Sequence, residues 1–406
     1  MIGFAVVVVS LTTVSMAADS DASIGPDITT FDVYGPELFG TVGGKTAYAV
    51  GTESCNRGDE PAEWDSGSNQ HPVIAQNLYR LKDGRLEQIG MSWLKHGFLS
   101  LNQSECDTCV YPPLGGSQLG IGCSDPYWAS LNGSQDRLGP RHEVNPFTGD
   151  FPAAHSLPTG DLTLKGRLVV DTADVQPSTN PGARFFAEGQ YVAADEAAAG
   201  NGENSASYRE ESISSSLLMT DVGSTFESSP AIYAWQEADP AVAIREIRVP
   251  EEGLFIVAAV ARDNGDGTWR YEYAVYNLNS HRAAQSFTVP ILPDAVITNV
   301  GFHDVDYHSG EPYVDTDWTI AVDNGAGIVN WSSETYAVNP NANALRWGTM
   351  YNFWFDADQE PIQDSATLGL FLDGTPGSVL TTVPAPSVDS LLFADGFESG
   401  DTGAWS

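Results

Sequence analysis

The chain has 406 residues, 42% hydrophobic, 10% aromatic and 18% charged, a globular composition that excludes disorder throughout and a length of about three one-domain units. Its 54 acidic residues against 18 basic ones give a net charge of −36, so phosphate backbones and anionic lipid surfaces are repelled and nucleic acid is excluded as a partner. Gly 40 and Pro 24 favour turns and short strands over long helices.

In chain order, residues 4–14 (FAVVVVSLTTV) form an apolar run followed by Ser15-Met16-Ala17, a small-x-small cleavage pattern. The run is long enough for a signal h-region and too short to span a bilayer. Residues 1–17 are therefore expected to direct export, and the processed chain is expected not to be transmembrane. Four cysteines, Cys55, Cys106, Cys109 and Cys123, fit an oxidising compartment. The sequence leaves three pairings open; the local spacing favours Cys106–Cys109 with Cys55–Cys123 closing a long loop. The alternative, a structural zinc site built on the CxxC, lacks a second CxxC.

Residues 26–186 read as a loop-rich β region carrying the cysteines. Thr46–Val50 and Leu162–Val170 alternate as strands, and Asp83-Gly84 lies between alternating arms, the signature of a tight hairpin. Residues 93–150 have few regular runs and suggest a disulfide-held excursion. Residues 187–216, rich in Ala, Ser, Gly and Asn, read as a flexible linker. Residues 217–384 carry regular strands: the apolar run Leu254–Ala261, the alternating Trp269–Tyr276, then Ala284–Val289, Val296–Val300, Trp318–Val322 and Trp347–Phe355. Antiparallel strands at this spacing predict a β-sandwich, making the whole chain all-β. Asp263–Gly267 lacks the acidic ligand positions of an EF-hand loop and is expected to be a hairpin turn. Residues 385–406 begin as a Pro-rich spacer and end in a tail.

The tail, Asp395-Gly-Phe-Glu-Ser-Gly-Asp-Thr402 with Trp405, is similar to the FESGDTSAW-type sorting endings of many exported bacterial proteins; Gly403 stands where that pattern has Ser. Asn69–Tyr79, Trp93–Phe98, Gly120–Tyr127, Leu138–Arg141, Tyr271–Ser280 and Asn343–Phe353 resemble a group of exported bacterial β-proteins to which no activity attaches. The resemblance implies secretion or display on the bacterial cell surface and supplies no catalytic residue.

No G-x-S-x-G elbow, HExxH or Walker-type loop occurs; Gly115–Leu119 fails the first at its last position. The densest polar cluster is Asp304, Asp306 and His308. On a strand these would share a face about 6.6–6.8 Å apart, a carboxylate–carboxylate–imidazole set suited to Ca²⁺ or Zn²⁺. His71, His96 and His142, in the cysteine-bearing region, form a second candidate pocket that only the fold could assemble. Trp128, Trp331, Trp347 and Trp354 are candidates for a glycan-stacking platform and equally for core. The leading reading is an exported, surface-displayed β-protein with a binding or structural role and a glycan or cell-surface partner. The alternative is a secreted, metal-assisted hydrolase with its site within residues 93–150, using His96 or His142.

Overall fold

The computed structural model describes residues 23–307 and 311–387. The export run, the C-terminal tail and His308 lie outside the described residues. The chain is all-β, as expected, and stacks three antiparallel sheets in layers. The large sheet is built from residues before 227, in the order Ile28–Val42, Lys45–Asn56, Leu168–Asp171, Arg85–Met91, Val73–Lys82, Arg184–Val192, Ala206–Ile213 and Met219–Phe226. The middle sheet runs Ala243–Val249, Gly253–Asp263, Trp269–Asn277, Met350–Ala357 and Ile297–His303; the outer sheet runs Thr319–Asp323, Ile328–Ser332, Ala284–Pro290, Ile362–Leu370 and Ser378–Ala385.

The middle layer explains the apolar run at Leu254–Ala261. A strand facing water on one side alternates, whereas one covered on both sides is apolar throughout. Here Phe255, Val257 and Ala259 pack with Phe287, Trp331 and Leu368 of the outer sheet. Leu254, Ile256, Ala258 and Val260 pack with Tyr79, Leu86, Phe186 and Tyr208 of the large sheet. The Tyr233–Ala238 helix plugs this second interface with Ile232 and Trp235. On its far side the large sheet rolls around Val33, Tyr48, Val50, Leu78, Val170 and Phe185. Its first strand meets the last two through side chains: Thr225 Oγ1 on the last strand accepts from Val33 N at 3.0 Å, and Arg209 Nη1 on the Ala206–Ile213 strand donates to Val33 O at 3.1 Å.

Both predicted hairpins form. Asp83 and Gly84 have φ of 51° and 81°, the paired positive angles of a two-residue turn. The Asp263–Gly267 loop closes with Asn264 N donating to Thr268 O at 2.9 Å. The run at Leu162–Val170, in contrast, is a strand only over Leu168–Asp171.

Two expectations are corrected. Residues 187–216 are no flexible linker: Ala187–Val192 completes a central strand paired with Val73–Lys82 on one side and with Ala206–Ile213 on the other. The polar residues of that strand, Glu188 and Gln190, suggest solvent by composition but are fully buried, at 0% and 1% exposure. Glu188 accepts from Asn77 Nδ2, the hydroxyls of Tyr79 and Tyr276, and Ala231 N, at 2.7–3.0 Å, and so stitches the large sheet to the middle one. The Ala194–Ala199 helix, the turn after it and the exposed turn at Ser214–Ser216 lie outside these strands.

The cysteines pair as Cys55–Cys106 and Cys109–Cys123, not as Cys106–Cys109 with Cys55–Cys123. Hydrogen bonds from Val110 N to Ile121 O and from Gln103 N to Ser124 O lay residues 103–110 along residues 121–124, bringing Cys109 beside Cys123. Cys106 is left facing Cys55.

Candidate functional site

A cavity of about 380 Å³ opens where one end of the large sheet meets the chain leaving the Ile297–His303 strand. That volume falls in the range of small-molecule sites. Its floor is apolar, from Ile89, Met91, Val169, Val170 and Val305; its rim carries Asp171, Asp174, Asp304, Asp306 and Asp315 against Lys45 and His303. The carboxylates come from two directions. Asp171 and Asp174 sit at the start of the Thr172–Val175 helix that follows the Leu168–Asp171 strand, and the others lie on the chain after residue 303.

Lys45 bridges the two rims, with Nζ 3.0 Å from Asp171 Oδ2 and 2.9 Å from Asp306 Oδ2. Burial opposes its charge, but the bonds to Asp306 and Asp171 outweigh burial and hold its pKa above the ordinary value. Burial pushes the Asp304 carboxyl up to about 6, against the opposing pull of the Asn343 amide that donates to it. Asp315 is raised as well, first by burial and then by Asp306. Asp174 is held by Arg80 Nη1 at 2.7 Å. His303 is tied down through Nε2, 3.2 Å from Gln88 O.

Asp304 and Asp306, singled out as metal ligands, therefore both line this cleft, but not as the sequence suggested. The strand ends at His303, so residues 304–307 do not alternate across a sheet face. Asp304 bonds Asn343 and Asp306 bonds Lys45. Among the described residues no three His, Cys, Asp or Glu side chains are arranged to hold a metal ion. Lys45, Asp171 and Asp174 were missed; distant in sequence, they left no local pattern to find.

The second candidate set separates. His71 and His96 do meet, with ring centroids 5.8 Å apart, but their third partner is His155, stacked on His96 at 4.1 Å. His142 lies elsewhere, its Nδ1 2.7 Å from Glu311 Oε2. That carboxylate also accepts from the backbone N of Arg141 and of His142 and raises the His142 pKa. Of the tryptophans, Trp331 and Trp347 are core, and Trp354 lies under the Arg85 guanidinium at 3.7 Å. Trp128 alone of the four is largely exposed, at 53%. Among the described residues no helix is long and apolar enough to cross a membrane.

No protein-family model and no curated protein matches the chain. Among solved structures, an Amycolatopsis orientalis exo-chitosanase aligns at 10% identity and TM-score 0.17, over 82% of this chain and 25% of that one. The serine-rich repeat protein Srr2 of Streptococcus agalactiae aligns at 8% identity and TM-score 0.22, over 89% of this chain and 91% of that one. The N-terminal domain of the Streptococcus gordonii adhesin Sgo0707 aligns at 8% identity and TM-score 0.19, over 84% and 61%. This chain thus spans a quarter of the exo-chitosanase.

Proposed function

We propose that the protein is an exported, surface-located β-protein that binds a small organic cation in the acidic cleft. The observation that supports this is the pairing of five carboxylates on the rim with an apolar floor, a surface complementary to an amine or guanidinium carried on an aliphatic body. Both disulfides fit an extracytoplasmic location. The Lys45–Asp306 pair across the mouth is easily displaced, since Asp306 is 65% exposed and exposed ion pairs contribute at most about 1 kcal/mol.

The test uses agmatine against the uncharged 1,6-hexanediol in calorimetric titration and thermal melting at matched ionic strength, because salt alone screens a net charge of −36. One-site binding of agmatine, weakened in Asp306→Asn and Asp315→Asn and absent for the diol, supports the reading. Agmatine acting no better than sodium chloride rejects it. A response specific to Ca²⁺ or Zn²⁺ and lost in Asp304→Asn would instead make the cleft a metal site.

A further inference from the structure

Away from the cleft, three imidazoles are gathered from three separate segments. His71 precedes the Val73–Lys82 strand, His96 follows the Leu94–Lys95 strand, and His155 lies in the loop after Phe151. His96 is 1% exposed and His71 7%. Phe151 packs edge-on to both, with ring centroids 5.1 Å from His71 and 5.0 Å from His96, and His155 covers His96. Gly139 makes room for the stack: a Cβ there would lie 2.7 Å from His96 Nε2 and 2.9 Å from His155 Cδ2.

The hydrogen bonding of the cluster is incomplete. His71 Nδ1 bonds Asp65 O at 3.2 Å, but His71 Nε2, both ring nitrogens of His96 and His155 Nε2 are buried with no protein partner. Buried unpaired polar groups are rare and call for an explanation. A common metal ion does not supply one in this geometry. The His96 and His155 rings lie 13° from parallel, so their in-plane lone pairs do not converge, and the flanking groups are cationic. Lys95 Nζ donates to Ser134 O at 2.8 Å and lies 3.7 Å from Asp136; Arg137 donates to Gly97 O. The acidic neighbour on the His155 side, Glu143, is engaged by Ser156. On the His71 side, Asp65 is turned to Gly67 N and Ser68.

We propose that His71, His96 and His155 form a proton-operated latch: neutral, they hold the Phe151–Ser156 segment over residues 94–98, and protonated, they release it. The sign follows from the surroundings. Burial, then the neighbouring imidazoles and Lys95, drive the His96 pKa down to about 2. His71 and His155 are also lowered, burial being the first cause in each. A group whose pKa is depressed in the closed state stabilises that state above its open-state value, about 6.5, and the stabilisation is lost as pH falls below it. At pH 5.0 protonation of His96 alone favours opening by about 30-fold, and the lowered His71 and His155 act in the same direction.

Hydrogen exchange of the full protein at pH 7.5 and 5.0, corrected for intrinsic rates, tests the latch. Exchange should accelerate at residues 94–98 and 151–156 by at least the 30-fold figure, leaving the Gly253–Asp263 and Trp269–Asn277 strands unchanged. His155→Phe keeps a stacking ring that takes no proton and should reduce the acid response; His96→Leu should reduce it further. Should His96→Leu not fold, the half-buried His155 position still decides. An acid response that persists undiminished in His155→Phe, or is absent in the wild type, overturns the latch. Protection of the same residues by zinc chloride at neutral pH would also overturn it, as the mark of a metal site.

Discussion

The disulfide pairing can be tested through its energetics. In the chain-entropy description a bridge stabilises by restricting the unfolded chain, roughly in proportion to the logarithm of the loop it closes. Cys55–Cys106 spans 51 residues and Cys109–Cys123 spans 14, which gives about 4 and about 3 kcal/mol respectively at 25 °C. The double variants Cys55→Ala/Cys106→Ala and Cys109→Ala/Cys123→Ala should therefore lose stability by these amounts in urea unfolding, each leaving the other bridge intact. Thiol titration of the denatured variants supplies the decisive reading. With the observed pairing, removing Cys109 and Cys123 leaves no free thiol, because Cys55 and Cys106 remain bonded. With Cys106–Cys109 and Cys55–Cys123, the same variant would carry two free thiols and lose both bridges. Two titratable thiols would refute the structural assignment.

Three further outcomes follow from the layers and the cleft. Asp304 is raised to about 6 by burial, so its native form favours the proton and it costs stability as pH rises from about 4 to above 6; Asp304→Asn should raise the melting temperature at pH 7.5 and leave it unchanged near pH 4, and an equal shift at both would show that the carboxyl does not titrate there. Glu188→Ala strands four buried donors at the seam between the large and middle sheets and should cost about 3–5 kcal/mol in urea unfolding, where a loss below about 1 kcal/mol would mean the seam is repacked or hydrated. Gly301→Ala drives a methyl into the Trp354 indole that lies on this glycine and should destabilise by about 1–3 kcal/mol, read as a lowered urea midpoint.

Local pattern was enough wherever the physics is local. The turns at Asp83-Gly84 and Asn264–Gly267 were legible because positive φ angles demand particular residues. The all-β class was legible because period-two alternation reports one-sided burial. Leu254–Ala261 was legible as a buried strand from its unbroken apolar run, though what covered its second face was not. The linker expected at 187–216 shows the limit. Glu188 and Gln190 look like solvated residues until the adjacent strand brings the hydroxyl of Tyr79, and the neighbouring layer the hydroxyl of Tyr276 and the carbonyl of Leu278, to them.

Contacts between distant segments were decided by tertiary structure alone. Cys106 and Cys109 are three residues apart, yet they bond to partners in different segments because residues 103–110 run antiparallel to residues 121–124. Asp304 and Asp306 were visible as a pair, but Lys45 and Asp171, which turn their surroundings into a cleft, come from two strands of the large sheet far away in sequence. His155 carried no local signal; it joins His71 and His96 because the loop bearing Phe151 folds back over them. Residue type and spacing constrain what a segment can do by itself. Which side chains share a low-dielectric pocket, and so which protons and charges interact, depends on how the layers close.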